Sequence, residues 1–463
     1  MHKTVAPTPI DTHGATPSLA TLSLAQAAKF WFKLGLISFG GPAGQIATVH
    51  QELVEKKRWI SEKRFLHALN YCMILPGPEA LQLVIYIGWL LHRGIGGLIA
   101  GLLFILPALF LLIALSWIYV AFGATSLVAG VFFGLKPAVT AIVLQAAHRI
   151  GKKILHHTSH WAIACATFVG ITLFNISYPV LIIGAAIAGH FISKKYPEFI
   201  QSGGQAQSQL PQSHSTTAII DDDTASPEHA RFSVLKVVKV SIFTAIAWLV
   251  PFLLSFLIWG KNSLYTKMAW FFTKAALLTF GGAYAVLPYV YQGAVDHFHW
   301  LTAAQMMDGL ALGETTPGPL ILVVAFVGYM AGQTSALVGE SPFVSGALGA
   351  ALVSWFIFLP SFCLIFLGGP LIESTHRQLK FTAPLTGITS AVVGVISSLT
   401  MFFAIHTFWP SGYISNPSYV SIVIFAGAAF AFMKLKRGIF PVMLACGVAG
   451  LIWTLVSHGL GYP

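Results

Sequence analysis

Three carboxylates and a lysine stand where an apolar sequence has little reason to place charge. Glu79 follows Pro76-Gly77-Pro78 directly, and Gln82 and Tyr86 come three and seven residues later, on one face of the helix that this spacing predicts. Asp308 and Glu314 lie in the otherwise uncharged stretch 306–316, just ahead of Pro317-Gly318-Pro319. Lys136 sits in Phe132-Phe133-Gly134-Leu135-Lys136-Pro137, beside a helix break. Carboxyl groups at membrane depth are costly and commonly carry protons or gate a path, and a lysine presented from a helix start can neutralise an anion. Each residue also has a plainer reading: Glu79 as partner of the helix dipole, Asp308 and Glu314 as caps or loop residues, Lys136 as a snorkelling side chain at a membrane edge.

A second set of candidates carries no charge. It comprises Gly40 and Gly41 with Gln45, then Pro76, Gly77, Pro78 and Gln82, and in the later half Gly281, Gly282, Pro317, Gly318 and Pro319. Gly-Gly lets an apolar helix open, and proline removes an amide donor and ends the ladder. Broken helices inside a bilayer are tolerated where they line a cavity or pack in protein. A new helix is expected after each Pro-Gly-Pro, with Pro78 or Pro319 at its first position. The free amides of such starts attract anions. Two starts meeting at mid-membrane would suit a small oxyanion, held by amides near Gly40, Gly41, Gly77 and their later counterparts, with Lys136 as counter-charge. Close helix packing, or a loop at the membrane surface, is the alternative for the same residues.

These residues must be positioned by membrane helices. Of 463 residues, 56% are apolar and 9% charged, with a mean hydropathy of +0.77, whereas soluble domains carry roughly 25% charged residues. A polytopic all-α membrane protein follows, with room for ten or more spans of about 20 residues. The net charge of +11 arises from short basic clusters at the ends of apolar runs, which anchor cytoplasmic loops and do not call for nucleic acid. Cys72, Cys165, Cys363 and Cys446 lack ligand spacing and read as small core residues. His156, His157 and His160, beside Lys152 and Lys153, read as a solvated loop rather than a metal site. No metal, cofactor or catalytic residue is expected, since there is no HExxH, GxSxG or Walker motif.

The chain repeats itself. Phe39-Gly40-Gly41 recurs as Phe280-Gly281-Gly282, Trp59 as Trp300, and Pro76-Gly77-Pro78 as Pro317-Gly318-Pro319, all 241 residues later. Lys33 with Lys274 and Gln51 with Gln292 keep the same offset; Leu106-Pro107 with Leu359-Pro360, and Gly134 with Gly387, stand 253 apart, which places an insertion around 333–346. The first copy holds Lys56, Lys57, Arg58, Lys63 and Arg64 between its two motifs, while 292–305 holds no Lys or Arg. The copies should therefore face opposite sides, as inverted repeats with broken helices. The expected organisation is a polar tail over 1–23, a first repeat over 24–193, a polar linker over 194–232, a bridging helix over 233–260, a second repeat over 261–457 and a short tail over 458–463. The tail lacks the pattern of a cleavable signal peptide. The linker, with Asp221-Asp222-Asp223, reads as solvated and cytoplasmic.

Taken together, Phe39-Gly40-Gly41-Pro42 with Gln45, Trp59, Pro76-Gly77-Pro78-Glu79-Ala80 with Gln82, Tyr86-Ile87-Gly88 and Gly134-Leu135-Lys136-Pro137-Ala138-Val139 resemble the chromate ion transporter family, in its long two-domain form. The resemblance runs from Phe30 to about Trp453. It implies a bacterial inner-membrane carrier that exports chromate and confers chromate resistance, driven by membrane potential or proton gradient, with sulfate as competitor or physiological ligand. Glu79, Asp308 and Glu314 are then the proton-coupling or gating candidates. The partners implied are the oxyanion and the bilayer, with a homodimer left open. A carrier of another inorganic or organic anion is the alternative, and a membrane-embedded enzyme or assembly factor a third class.

Overall fold

The computed structural model describes residues 22–123, 125–196, 199, 218–221, 224, 227–335, 341–374, 382–410 and 416–459. Residues 1–21 of the expected tail, and much of the expected linker, lie outside them. The described chain is helical, and among the described residues its only extended pairing is an isolated bridge between Ile60 and Ile220.

In the first repeat α1 (Leu24–Ile37) stops at Ser38-Phe39-Gly40, and α2 (Gly41–His50) runs on into a π-helical turn, Gln51–Lys56. α3 (Glu62–Cys72) leads to Pro-Gly-Pro, followed by α4 (Glu79–Phe122), α5 (Ser126–Ile154), α6 (Thr158–Thr172) and α7 (Tyr178–Lys195). α8 (Val234–Trp259) bridges to the second repeat and buries only Ser255 among its side chains, as a lipid-facing helix would. Then come α9 (Leu264–Leu277), α10 (Ala283–Tyr291) with its π turn Gln292–His297, α11 (Ala303–Thr315) and a 3₁₀ turn, Leu320–Leu322. α12 (Val323–Thr334), α13 (Pro342–Ser374), α14 (Thr382–Phe408), α15 (Tyr419–Met433) and α16 (Ile439–Gly459) complete it.

The duplication holds at the level of individual caps and turns. Ser61 accepts a hydrogen bond from the Arg64 amide and Thr302 one from the Gln305 amide, closing the starts of α3 and α11 at positions 241 apart. Both π turns fall at that offset, as do the left-handed residues Arg58 (φ 52°) and His299 (φ 51°). α4 is really two limbs. His92 and Arg93 leave helical geometry, and the chain folds back so that Gly88 packs on Gly96 and Ala100, and Gly101 on Ile85. In the second repeat the same fold-back separates α12 from α13, where Gly328 meets Gly349.

Six described helices are long and apolar enough to cross a membrane, namely α4, α5, α8, α13, α14 and α16, with two shorter apolar helices at 320–334 and in α15. There are fewer long spans than the length allows because α1, α2, α3 and their counterparts are broken part-way. The repeats interlock: α5 packs against α15 and α16, while its counterpart α14 packs against α6 and α7. These crossings are close because they are built on glycine. A Cβ on Gly134 would lie 1.9 Å from the Cys446 carbonyl oxygen, and one on Gly387 would lie 2.2 Å from that of Ala185.

Two expectations change at this level. Cys165 is exposed on α6, unlike the other cysteines, because its face turns outward from the bundle. His156 is exposed, as expected of a loop, but His157 and His160 belong to the start of α6: His157 Nδ1 accepts from the Ser159 amide at 3.1 Å, and His160 is fully buried with Nε2 3.2 Å from the Phe199 carbonyl. Capping, rather than solvation, explains the His157 and His160 rings.

Candidate functional site

Where the helices break, the two repeats are joined by a reciprocal pair of backbone bonds. The Gly77 amide donates to the Thr279 carbonyl at 2.7 Å, and the Gly318 amide to the Ser38 carbonyl at 2.8 Å. Donors and acceptors are each 241 residues apart, so the bonds are related by the pseudo-twofold relation of the repeats. Each acceptor is set the same way. Ser38 and Thr279 bond their own hydroxyls to Leu34 and Ala275, one turn back, both at 2.7 Å, which leaves their carbonyls past the last helical turn and free to accept. Gly77 (φ 126°) and Gly318 (φ 93°) occupy left-handed conformations that favour glycine, and a Cβ would meet Ser361 Oγ at 2.5 Å or Ala108 at 2.6 Å. The expected amide donor at Gly77, and its counterpart at Gly318, are therefore already engaged.

Around this pair the starts of the broken helices converge. Gly41, at the start of α2, approaches the Tyr284 ring of α10, and Gly282, the N-cap of α10, approaches the Glu79 carboxylate at the start of α4. Gln45 donates to the Gly318 carbonyl at 2.6 Å, tying α2 to the second Pro-Gly-Pro turn. Gln82 donates to the Pro76 carbonyl at 2.8 Å and braces the first turn. Pro78 and Pro319 are the caps themselves, one position earlier than expected, with the helices beginning at Glu79 and Leu320. Gly40 and Gly281 have φ of 92° and 80° at the matching breaks, and Pro317 is buried beside Gly318.

The carboxylates are all inside. Glu79, Asp308 and Glu314 are 9%, 4% and 6% exposed. Tyr284 donates to Glu314 Oε1 at 2.7 Å and Tyr119 to Asp308 Oδ2 at 2.9 Å. Glu79 Oε2, Glu314 Oε2, Gln82 Oε1 and Ser361 Oγ are buried with no hydrogen-bond partner, which is costly in a packed interior and points to a site that receives something. Lys153 and Arg149, one turn apart on α5, act electrostatically on Glu79 and Glu314 respectively. Lys136 departs from its expected role: its Nζ lies 3.5 Å from Asp308 Oδ1, an ion pair that already spends its charge on a protein carboxylate.

The structure brings Glu79, Glu314, the glycines and the prolines into one neighbourhood. Lys136 and Asp308 form a separate cluster with Tyr119. Tyr284, Tyr119, Ser361 and Arg149 escaped sequence reasoning, because a tyrosine or serine among apolar residues reads as core until its partner is known. The signal that was available lay in Ser38 and Thr279, hydroxyl residues at matching positions before each Phe-Gly-Gly. Chemically, the arrangement offers helix starts for an anion and buried carboxyls for protons. No group of three or more His, Cys, Asp or Glu able to hold a metal occurs among the described residues.

Comparison with known proteins finds one family in both repeats. Residues 25–190 and 266–451 each match the family described as chromate transporter. A chromate transport protein of Pseudomonas aeruginosa is 33% identical over 93% of this chain and 92% of its own length. One from Cupriavidus metallidurans is 25% identical over 98% of this chain and 100% of its own. An uncharacterized transporter of Methanocaldococcus jannaschii is 24% identical over 91% and 92%. No solved structure matches.

Proposed function

The chain belongs to the chromate transporter family, and from that premise we propose a secondary carrier that exports chromate, a tetrahedral dianion, across a bacterial inner membrane and so confers resistance to it. The anion binds where the starts of α2, α4 and α10 and the second Pro-Gly-Pro turn meet. The observation that carries this reading is the convergence of Gly41, Glu79, Gly282 and Gly318 around the reciprocal backbone bonds. Helix starts bring partial positive charge and unsatisfied amides, so a small oxyanion suits them. Sulfate, of the same shape and charge, competes for the site.

Glu79 and Glu314 serve as the proton-coupling pair. A dianion entering beside two carboxylates is repelled unless protons accompany it, so anion and proton movement become linked. Tyr284 holds Glu314 in place by its hydroxyl. Rocking of one repeat against the other exposes the site alternately.

The broken hairpins and the basic clusters support one orientation. α1 with α2, and α3 with the first limb of α4, enter and leave on one side, where Lys56, Lys57, Arg58, Lys63 and Arg64 lie. On this reading the second limb of α4, then α5 and the shorter α6 and α7, cross in turn, and α8 adds a further crossing. Five crossings would turn the second repeat over, a reading supported by the charge pattern: the lysine-free segment 292–305 then faces outward, and the N-terminus, the linker, Lys434, Lys436 and Arg437 face the cytoplasm.

Glu79→Gln tests the coupling. Chromate transport followed over a pH series should lose its pH dependence in this variant at normal membrane abundance. A profile superimposable on the unmodified protein's would remove Glu79 from the mechanism.

A further inference from the structure

Two polar clusters tie the repeats together away from the central site. At one end Arg64 of α3 reaches Glu373 of α13, with Nη1 3.7 Å from Oε2. Tyr86 of α4 donates to the same carboxylate at Oε1. At the other end Asp308 of α11 accepts from Tyr119 of α4 and pairs with Lys136 of α5. The ends are far apart. Gly101 packs on Ile85 beside Tyr86, and Tyr119 lies eighteen residues further along the same helix, about 27 Å at 1.5 Å per residue.

The clusters are pseudo-symmetric in place though not in chemistry. Arg64 plus 241 is Gln305, one turn from Asp308 on the counterpart helix, and Tyr119 plus 253 is Ile372, next to Glu373. Each cluster joins the short helix leading into a Pro-Gly-Pro turn to the long helix of the opposite repeat. Between them lie the reciprocal bonds of Gly77 and Gly318. A connection at each end with a paired joint between is the layout of a rocker, in which releasing one end opens the path there while the centre stays joined.

We propose that Arg64–Glu373–Tyr86 and Tyr119–Asp308–Lys136 are the two gates of the carrier, the first on the cytoplasmic side and the second on the outer side, both closed in this structure. This rests on the carrier reading above. It moves Lys136 and Asp308 from anion binding and proton transfer to gating. It also accounts for the burial of Glu79 and Glu314 between the gates.

The test uses a reporter at the centre, Ser38→Cys, which is buried, in a protein whose four native cysteines are replaced by alanine. A membrane-impermeant maleimide is applied to right-side-out and inverted vesicles. Arg64→Gln or Glu373→Gln should raise labelling at least fivefold from the cytoplasmic side alone, and Tyr119→Phe or Asp308→Asn from the outer side alone. The exchanged pair Arg64→Glu with Glu373→Arg should restore protection to within twofold, which separates a gate from a folding defect. Unchanged labelling, labelling from both sides, or no rescue by the exchange would overturn the proposal. Labelling needs no anion, so sided accessibility without chromate transport would count against the proposed substrate and leave the gates standing.

Discussion

Gly77 combines a left-handed backbone with no room for a methyl group, since Ser361 Oγ and Gln82 Nε2 would lie 2.5 and 2.7 Å from its Cβ. Gly77→Ala should cost about 1–3 kcal/mol in backbone strain and displaced neighbours and lower the thermal unfolding midpoint in detergent. Gly94→Ala, where nothing lies within 4 Å, should leave it unchanged. Equal midpoints for the two would mean that the turn relaxes freely. Lys136→Met isolates Asp308 in the interior. The expected loss is below the roughly 3–5 kcal/mol of a fully buried pair, because the Lys136 side chain is 27% exposed. Adding Asp308→Asn should recover more than half of it, and an additive double variant would contradict the pairing. At this scale the sequence identified which charges are unusual but not their partners. Lys136 and Asp308 are 172 positions apart, and only the interlocked repeats bring α5 to α11.

The last part of the linker is less free than its composition implies. The Ile219 and Ile220 amides donate to the Arg58 and Trp59 carbonyls at 3.0 Å, and the Ser61 amide returns a bond to Ile220 at 2.9 Å. Arg64 donates to the Thr224 carbonyl, and His229 Nε2 donates to the Trp89 carbonyl at 2.8 Å. A strap thus crosses the segment between α2 and α3 and reaches Arg64. Burial, with Arg93 and Lys236 adding repulsion, pushes the His229 imidazole below its ordinary value of 6.5, against the opposing pull of the Trp89 carbonyl and Glu373. A lowered histidine favours the neutral, docked form, so docking is complete above the ordinary value and weakens as pH falls below it. Hydrogen exchange at the Ile219 and Ile220 amides, corrected for intrinsic rates, should show less protection at pH 5.5 than at pH 7.5. His229→Gln should remove most of that difference, and pH-independent protection would exclude the switch. Polar composition hid this element, because two isoleucines in a long polar stretch carry little signal until an edge is offered to them. The breaks at Phe-Gly-Gly and Pro-Gly-Pro were legible, since glycine and proline act on the backbone directly.

At the scale of the whole molecule, one spacing of 241 residues announced a duplication with broken helices, and the structure repeats it in details the spacing did not specify, from the reciprocal bonds at Gly77 and Gly318 to the matching caps at Ser61 and Thr302. What it could not give was the interlock. Repeats of this kind can stand side by side or exchange helices, and the exchange depends on bare glycine surfaces at Gly134 and Gly387 that become meaningful only in contact. The asymmetry of the polar groups is also a property of the whole. The counterpart of Glu79 is a leucine, Leu320, and that of Glu314 a methionine, Met73, so the pseudo-symmetric frame holds an asymmetric set of charges. On the proposed function, this frame moves a tetrahedral dianion. Its most direct test is uptake of radiolabelled chromate into inverted vesicles carrying the protein, with and without an energised membrane, and with excess unlabelled sulfate. Accumulation that requires energy, falls with sulfate and loses its pH dependence in Glu79→Gln is the expected result. No accumulation, in vesicles shown to contain folded protein, would contradict it.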